Sequence, residues 1–401
     1  MSNASQSKSL RNRVLVAGIL CQFCAGMLYS WSLYVLPIID MFGWERSSVT
    51  LTFSIATFLV PIVMIFAGKW LPKLGATKSV LIGAGFLSCG MVISSFATSL
   101  PMLYLGYGMF GGIGVGFIYG VVNTTCAKWF PDKKGTVTGL TVAGFGLGSV
   151  FFSPICSQLI GQFGPMTTFL IQAGVTAVIM LIASPMMKEA PDGYTPDGWT
   201  PPTGTKNSTK DYTSKEMLGQ PQYWFLLIMY LFANIAGLFT IGNAGPISEQ
   251  VANLSPTDAA LIVSVLSIMN TAGRFVGGAL SDKFGSARVV TILYIFNTAL
   301  SASLMMNLMT SFATIAIAVG GLAICFGGMM GAYPSLILDR FGSKYFGTNY
   351  AFIFLAYGFG GLLTTPILQI SGGVYSVAFT IIGVACAIGF VMSLLLGKIK
   401  R

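Results

Sequence analysis

Positions 375 to 396 read YSVAFTIIGVACAIGFVMSLLL, an apolar stretch without a single charged residue. A backbone inside lipid must satisfy its own hydrogen bonds, and about 20 apolar residues in an α-helix cross a hydrocarbon core of roughly 30 Å. Twelve such stretches lie approximately at Val14–Pro37, Ser48–Trp70, Ser79–Ala97, Met102–Ala127, Gly135–Ile160, Thr167–Met187, Tyr223–Ile247, Thr257–Leu280, Val289–Met306, Phe312–Leu338, Phe346–Leu368 and Tyr375–Leu396. They predict an all-α membrane protein with twelve transmembrane helices, which we number spans 1 to 12.

The composition excludes a soluble globule. Hydrophobic residues make up 54% and charged residues 8% of the chain, against roughly 25% charged in an ordinary soluble domain. The net charge of +10 is spread over short loops, where it suits anionic lipid headgroups, so we expect no nucleic-acid partner. The seven cysteines lie in apolar spans and the chain has no histidine, so no disulfide framework, metal site or cofactor is expected.

The loop charges predict the orientation of the spans, because Lys and Arg stay on the cytoplasmic side of short loops. Among all Lys and Arg residues, only Arg46 lies in a loop after an odd-numbered span. The other side holds Lys8, Arg11, Arg13, Lys69, Lys73, Lys78, Lys128, Lys133, Lys134, Lys188, Lys206, Lys210, Lys215, Lys283, Arg288, Arg340, Lys344, Lys398, Lys400 and Arg401. We expect both termini in the cytoplasm, no cleaved signal peptide, and residence in the cell inner (plasma) membrane.

Two halves of the chain repeat each other. Gly68, Lys73, Gly75 and Lys78 recur 210 positions later as Gly278, Lys283, Gly285 and Arg288, and Gly135, Gly146, Gly148 and Pro154 recur 212 positions later as Gly347, Gly358, Gly360 and Pro366. Such fixed offsets indicate duplication. We predict an N-terminal six-helix bundle over 1–187, an irregular polar linker over 188–221 and a pseudo-symmetric C-terminal six-helix bundle over 222–401.

Arg274 lies about 16 residues into span 8 and cannot easily reach either surface. An arginine at mid-membrane costs at least roughly 2.5 to 3.5 kcal/mol, so it should face a cavity and meet a partner. The acids Asp40, Glu45, Glu249, Asp258, Asp132, Asp282 and Asp339 all fall outside the predicted membrane core. The planar guanidinium suits a carboxylate by two parallel hydrogen bonds, which favours a substrate anchor over a structural ion pair.

Three polar side chains accompany Arg274 as candidate site residues. Asn270 lies one turn before it and either holds the guanidinium or binds the substrate. Tyr119 and Asn123 lie one turn apart in span 4, where a bond between helices is the alternative for each. These residues extend the predicted binding site to both halves.

Several motifs resemble one transporter family. Gly278-Ala-Leu-Ser-Asp-Lys-Phe-Gly-Ser-Ala-Arg288 resembles the loop signature of the major facilitator superfamily. Tyr119-Gly-Val-Val-Asn123, Lys128-Trp-Phe-Pro-Asp-Lys-Lys-Gly135, Leu28-Tyr-Ser-Trp-Ser-Leu-Tyr34 and Asn349-Tyr-Ala-Phe-Ile-Phe354 resemble its oxalate:formate antiporters and bacterial monocarboxylate transporters. The resemblance covers nearly the whole chain and implies two bundles that work by alternating access.

This resemblance also implies site residues. In that family an aromatic cage surrounds the substrate, and the matching positions here are Tyr29, Tyr119, Phe145, Phe326 and Phe354. The oxalate carriers have a second cation where this chain has Tyr357, a glutamine at Leu28 and a tyrosine at Met330, with Tyr333 one turn on. One cation neutralises one carboxylate, so we expect a monocarboxylate such as lactate, pyruvate or formate, its tail against Leu28, Phe359 and the aromatic rings.

The mode of coupling has two readings. Arg274 does not titrate, histidine is absent, and Asn270 replaces an aspartate of the animal monocarboxylate carriers. We favour proton symport, with the substrate carboxyl as the proton carrier, over anion exchange of the oxalate:formate type.

A second class of function is a non-transporting carboxylate sensor, although a sensor should carry an output domain. An enzyme is not expected, because no nucleophile with a base is available in the spans. We expect a monomer to suffice.

Overall fold

The computed structural model describes residues 2–191, 193–196 and 210–396. Within these ranges the chain consists of helices joined by short turns and connections, and it contains no strand. The first part consists of α1 (Ser2–Ala25), a 3₁₀ helix (Gly26–Trp31), α2 (Ser32–Phe42), α3 (Arg46–Ser95), α4 (Leu100–Leu103), a π-helical segment (Tyr104–Gly111), α5 (Gly112–Trp129), α6 (Lys134–Ala183) and a 3₁₀ turn (Ser184–Met186). The second consists of α7 (Ser214–Leu218), α8 (Pro221–Ala252), α9 (Pro256–Phe284), α10 (Ser286–Met305), α11 (Phe312–Phe341), α12 (Phe346–Ile370) and α13 (Tyr375–Leu396).

Two of these helices are too long for one membrane crossing. The apolar part of α3 extends over 45 residues, and α6 with the 3₁₀ turn that follows it extends over 53; 45 residues of helix are about 68 Å long, twice the hydrocarbon core. Each is interrupted by a glycine with positive φ, Gly75 at 76° and Gly164 at 77°. A backbone with positive φ favours glycine. At each position this single residue takes the place of the short loop predicted from the sequence. The ten apolar helices of the described chain therefore supply twelve crossings, which confirms the predicted all-α, twelve-helix architecture.

The chain forms two compact units. Unit 1 contains Met1–Val137, Gly144–Ser208 and Tyr345–Phe352, and unit 2 contains Thr138–Ala143, Thr209–Lys344 and Ile353–Arg401. In unit 1, α5 packs along α3 and α1. In unit 2, α9 packs on α11 and α10 packs on α13 around a buried apolar core that includes Phe239, Leu322 and Phe379.

Hydrogen bonds hold the linker to the adjoining unit at two places. Thr77 Oγ1 donates to Met187 O at 2.6 Å and Trp129 Nε1 donates to Lys188 O at 2.7 Å. Further along the linker, the Asp211 carboxylate accepts from the backbone N–H groups of Ser343 and Lys344 at 3.0 and 3.1 Å. The linker is therefore held at its start and again at Asp211.

One part of the linker is helical, although the sequence predicts an irregular segment. Thr213 and Glu216 form a reciprocal capping box at the start of α7, in which the Thr213 Oγ1 accepts from the Glu216 N–H. The hydrogen bond from the Lys210 ammonium, with the Thr213 N–H, lowers the pKa of the Glu216 carboxyl to about 2. Glu216 is therefore ionised at neutral pH and available to the cap.

A side-chain hydrogen bond also holds the end of the last helix of unit 2. Arg340 Nη2, near the end of α11, donates to the carbonyl of Leu396, the last residue of α13, at 3.0 Å. Carbonyl groups at a helix terminus have no partner within their own helix, so this bond satisfies one of them.

Helices α9 and α11 approach closely through glycines. A Cβ atom placed on Gly277 would lie 2.3 Å from Gly328 O and 2.5 Å from Gly328 Cα. Backbone atoms cannot move aside as a flexible side chain can. Small residues of this kind allow helices in a membrane to pack backbone against backbone, and here they set the position of α9.

Replacing Gly277 by alanine is expected to destabilise the protein by about 1 to 3 kcal/mol, because α9 and α11 must separate to accommodate the methyl group. The matched control is Gly242→Ala in α8, where nothing lies within 4 Å of the new Cβ and alanine favours the helix. Thermal unfolding of the purified protein in detergent measures both. Equal melting temperatures for the two variants would contradict the close approach.

Candidate functional site

Arg274 is held in the interior of unit 2 by the packing of α9 on α11. Its side chain is 1% exposed. A Cβ on Gly327 would lie 2.1 Å from Asn270 O, and one on Gly331 would lie 2.0 Å from Arg274 O. The backbone of α9 at Asn270 and Arg274 therefore lies directly on α11, which fixes where the arginine side chain begins.

Neutral oxygen atoms orient the guanidinium. Arg274 Nε donates to Asn270 Oδ1 at 3.0 Å, and Arg274 Nη1 donates to Val142 O at 3.4 Å. The Asn270 amide in turn donates to Ala323 O through a long bond of 3.5 Å. Because Asn270 holds both the arginine and α11, the plane of the guanidinium is set by the helix pair. Direct contact of Asn270 with substrate stays a prediction.

Three predicted aromatic residues meet in unit 1. The Phe145 ring lies edge-on to Tyr29, with centroids 5.0 Å apart, and edge-on to Tyr119, with centroids 5.7 Å apart. Tyr29 belongs to the 3₁₀ helix after α1, where Gly26 lies against Phe145 O. The neighbouring Leu28 is buried, and its carbonyl accepts from Tyr107 Oη at 3.0 Å. These contacts bring Leu28, Tyr29, Tyr119 and Phe145 to one region of the unit.

Asn123 has a buried polar neighbour that the sequence analysis missed. Gln22 of α1 is 0% exposed, and its Nε2 lies 3.4 Å from Asn123 Oδ1. A glutamine in an otherwise apolar span was a visible signal, because such a residue needs a polar partner in a membrane. The pair agrees with the reading of Asn123 as a bond between helices.

The remaining predicted aromatic residues lie in unit 2, in two arrangements. Phe354 and Tyr357 stack with centroids 5.0 Å apart and planes 11° apart. Tyr333 stacks on Tyr230 at 3.9 Å, and Tyr230 lies 6.1 Å from Phe354. Tyr230 therefore joins the two groups. Tyr230 was not among the residues predicted from the sequence, although a tyrosine within span 7 was the available signal.

Two further predicted residues differ in their surroundings. Phe326 is buried, and a Cβ on Gly237 would lie 2.1 Å from its ring. Phe359, by contrast, is 47% exposed. Contact of Phe326 and of Phe359 with substrate stays a prediction.

The arrangement offers one kind of chemistry. A buried guanidinium provides charged hydrogen-bond donors, and the aromatic faces provide apolar surface with tyrosine hydroxyl groups nearby. Within the described residues, no group of three or more Cys, Asp or Glu side chains is placed to hold a metal ion. These features suit recognition of a small anionic molecule.

Comparisons with known proteins place the chain in a family. Residues 18–365 match the Major Facilitator Superfamily. The uncharacterized MFS-type transporter YhjX of Escherichia coli (strain K12) is 32% identical over 351 residues, which are 87% of this chain and 85% of YhjX. The oxalate:formate antiporter of Oxalobacter formigenes is 27% identical over 95% of this chain and 89% of its own, and monocarboxylate transporter 12 of Rattus norvegicus is 25% identical over 82% and 72%.

Solved structures give the same fold. FucP, a transporter of the superfamily crystallised in the outward conformation, superimposes with a TM-score of 0.75 at 14% identity, covering 95% of this chain and 98% of its own. A bacterial homologue of the iron transporter ferroportin gives 0.70 at 12% identity, covering 97% and 99%. The resemblance drawn from the sequence motifs is confirmed. With its repeated helices, its family match and its transporter relatives, the chain belongs to the major facilitator superfamily and is a multi-pass membrane transporter rather than an enzyme.

Proposed function

We propose that the protein is a secondary active transporter of small monocarboxylates of the lactate, pyruvate and formate class, driven by proton symport. The observation that carries this proposal is the buried Arg274 guanidinium, oriented by Asn270 and the backbone of Val142. An oriented planar fork suits a carboxylate. The named activities of two relatives, an oxalate:formate antiporter and a monocarboxylate transporter, concern carboxylates as well.

The proposed substrate carries one negative charge. Tyr357 occupies the position at which, by the family resemblance, an oxalate carrier has its second cation. Here the ring is 3% exposed and stacks on Phe354. A second carboxylate placed against these rings would lose its water without gaining a positive partner, at a cost of several kcal/mol. A neutral apolar or hydroxylated tail fits the same surface.

The tail of the substrate lies against aromatic and aliphatic side chains in this proposal. Phe145 with Tyr29 and Tyr119 supplies such a surface in unit 1, and Phe354 with Tyr230 supplies one in unit 2. Leu28 and Phe359 complete the proposed set, together with Phe326, Tyr333, Asn123 and Asn270. Aromatic rings bury much apolar area and keep a polar edge for small hydroxylated molecules.

The cellular membrane and the orientation of the protein in it follow from the loop charges. We infer residence in the inner (plasma) membrane with both termini cytoplasmic from the distribution of Lys and Arg among the loops. The domain boundaries at 187 and 222 and the sufficiency of a monomer also belong to the proposal. Membrane lipid and a small anion are the partners that it requires.

Proton symport is preferred to exchange on electrostatic grounds. Arg274 does not titrate in the accessible range and the chain contains no histidine, so the substrate carboxyl is the proposed proton carrier. A protonated acid leaves the guanidinium more easily than its anion. Exchange of one anion for another is the alternative, and it is favoured by the similarity to the oxalate:formate antiporter.

Arg274→Ala and Arg274→Gln are expected to lower monocarboxylate uptake into proteoliposomes by about 100-fold or more, because they remove a desolvated charge contact worth several kcal/mol. Arg274→Lys should also be severely impaired, since a point cation lacks the bidentate fork. The control is Arg340→Gln, which changes another buried arginine but retains a donor for Leu396 O. Wild-type uptake by correctly inserted Arg274→Ala would disprove the anchor, as would equal losses in Arg340→Gln.

Tyr357→Lys is expected to weaken lactate uptake and to create measurable oxalate binding, because a second cation compensates the second carboxylate. Competition by unlabelled oxalate against labelled lactate in proteoliposomes measures the shift. Tyr357→Phe, which keeps the ring without adding charge, is the matched control and should retain monocarboxylate preference. If oxalate fails to compete in Tyr357→Lys while lactate uptake is unchanged, the single-charge argument is wrong.

An inward proton gradient is expected to drive substrate accumulation in vesicles that contain no internal anion substrate. Dissipating the gradient with a protonophore should abolish accumulation, because the proton is then no longer a source of energy. Uptake of labelled lactate, measured with and without preloaded unlabelled lactate, separates the two modes. Uptake that occurs only after preloading would establish exchange and overturn symport.

A further inference from the structure

Asn234 is a buried polar residue in α8 that the proposed site has not used. It is 0% exposed, and its Nδ2 donates to Tyr230 O, one turn earlier in the same helix, at 2.6 Å. This contact fixes which end of the amide faces the helix. With the amide turned over, two carbonyl oxygens would lie at that short distance and repel each other.

The other end of the Asn234 amide is an acceptor without a donor. Its Oδ1 is buried, and within the described part of the chain no hydrogen-bond donor reaches it. A buried carbonyl oxygen lacking a partner is destabilising, and polar residues inside membrane spans often belong to substrate pathways. The oxygen can be satisfied by a group that brings its own hydrogen.

The residues beside Asn234 on α8 contact the aromatic residues proposed to line the substrate. Tyr230, one turn before it, contacts both Tyr333 and Phe354. Gly237, three residues after it, lies against Phe326. On the facing helix α12, a Cβ on Gly360 would lie 2.8 Å from Asn234 Cβ, and Gly360 follows Tyr357 by one turn. Asn234 thus lies on α8 between Tyr230 and Gly237, which contact predicted site residues of unit 2, and it packs against Gly360 of α12.

We propose that Asn234 Oδ1 accepts a hydrogen bond from a hydroxyl group of the substrate, so that the transporter prefers 2-hydroxy monocarboxylates to 2-oxo monocarboxylates. This inference rests on the proposed monocarboxylate function. A hydroxyl group donates and satisfies Oδ1, whereas a keto oxygen can only accept and would face another acceptor. Because the Tyr230 carbonyl holds the amide in one orientation, the amide cannot turn over to offer its N–H groups to a keto acid.

The same helix contains a residue with equivalent local bonding but a satisfied oxygen. Asn243 Nδ2 donates to Phe239 O at 2.9 Å, one turn earlier, as Asn234 does to Tyr230. Its Oδ1, however, accepts from Tyr375 Oη at 3.4 Å. Replacing Asn243 removes the same hydrogen bond to the backbone of its own helix, but it removes an oxygen that already has a donor. The substitution therefore serves as the matched control for Asn234.

The test compares uptake of L-lactate with pyruvate, and of 2-hydroxybutyrate with 2-oxobutyrate, by the wild type, Asn234→Leu and Asn243→Leu in proteoliposomes. The wild type is expected to prefer the hydroxy acid in kcat/KM by about tenfold, in line with the effect of one unsatisfied buried acceptor. Asn234→Leu should abolish the preference by lowering uptake of the hydroxy acid while uptake of the oxo acid stays within about twofold. Asn243→Leu should keep the wild-type ratio.

Several outcomes would overturn the inference. Equal wild-type kcat/KM for both acids would do so, as would an Asn234→Leu variant whose ratio is unchanged or whose two activities fall together. If Asn234→Leu fails to fold, the wild type is instead unfolded thermally in the presence of each of the four acids. Equal increases in melting temperature would contradict the proposed hydroxyl contact. If transport requires Arg274 but shows no preference for hydroxy acids, only this inference is wrong. If no monocarboxylate transport that requires Arg274 is found, the proposed function is wrong as well.

Discussion

A positive charge surrounded by apolar helices constrains much of this structure. Arg274 cannot be moved along α9 without changing its contacts to Asn270 and Val142, and α9 itself is fixed by backbone contact with α11. Those contacts exist only because Gly327 and Gly331 have no side chain. The glycines are therefore as much a part of the site as the arginine, since they determine the depth and direction from which the guanidinium acts.

The sequence predicted the architecture well because the physics that determines it is local. Any apolar stretch of sufficient length must be a helix in lipid, so twelve crossings could be counted without knowledge of packing. The structure differs from the prediction at two connections between spans. Gly75 and Gly164 break long helices where loops were expected, because one residue with positive φ can redirect a chain without a polar turn.

The candidate site was harder to predict, because it depends on which faces of the helices meet. Phe145 between Tyr29 and Tyr119 followed from family resemblance, not from any pattern in the chain itself. Gln22 and Tyr230 were missed, since an isolated polar or aromatic residue in a span does not reveal its neighbour on another helix. A partner of that kind becomes visible only when tertiary packing is known.

The bond from Arg340 to the carbonyl of Leu396 joins two helices that are not consecutive in the sequence. Arg340 lies near the end of α11, and Leu396 is the last residue of α13. A shift of either helix that lengthened this bond would leave a buried carbonyl without its charged donor, which costs free energy. The ends of α11 and α13 are therefore coupled, and a displacement of one end should carry the other with it.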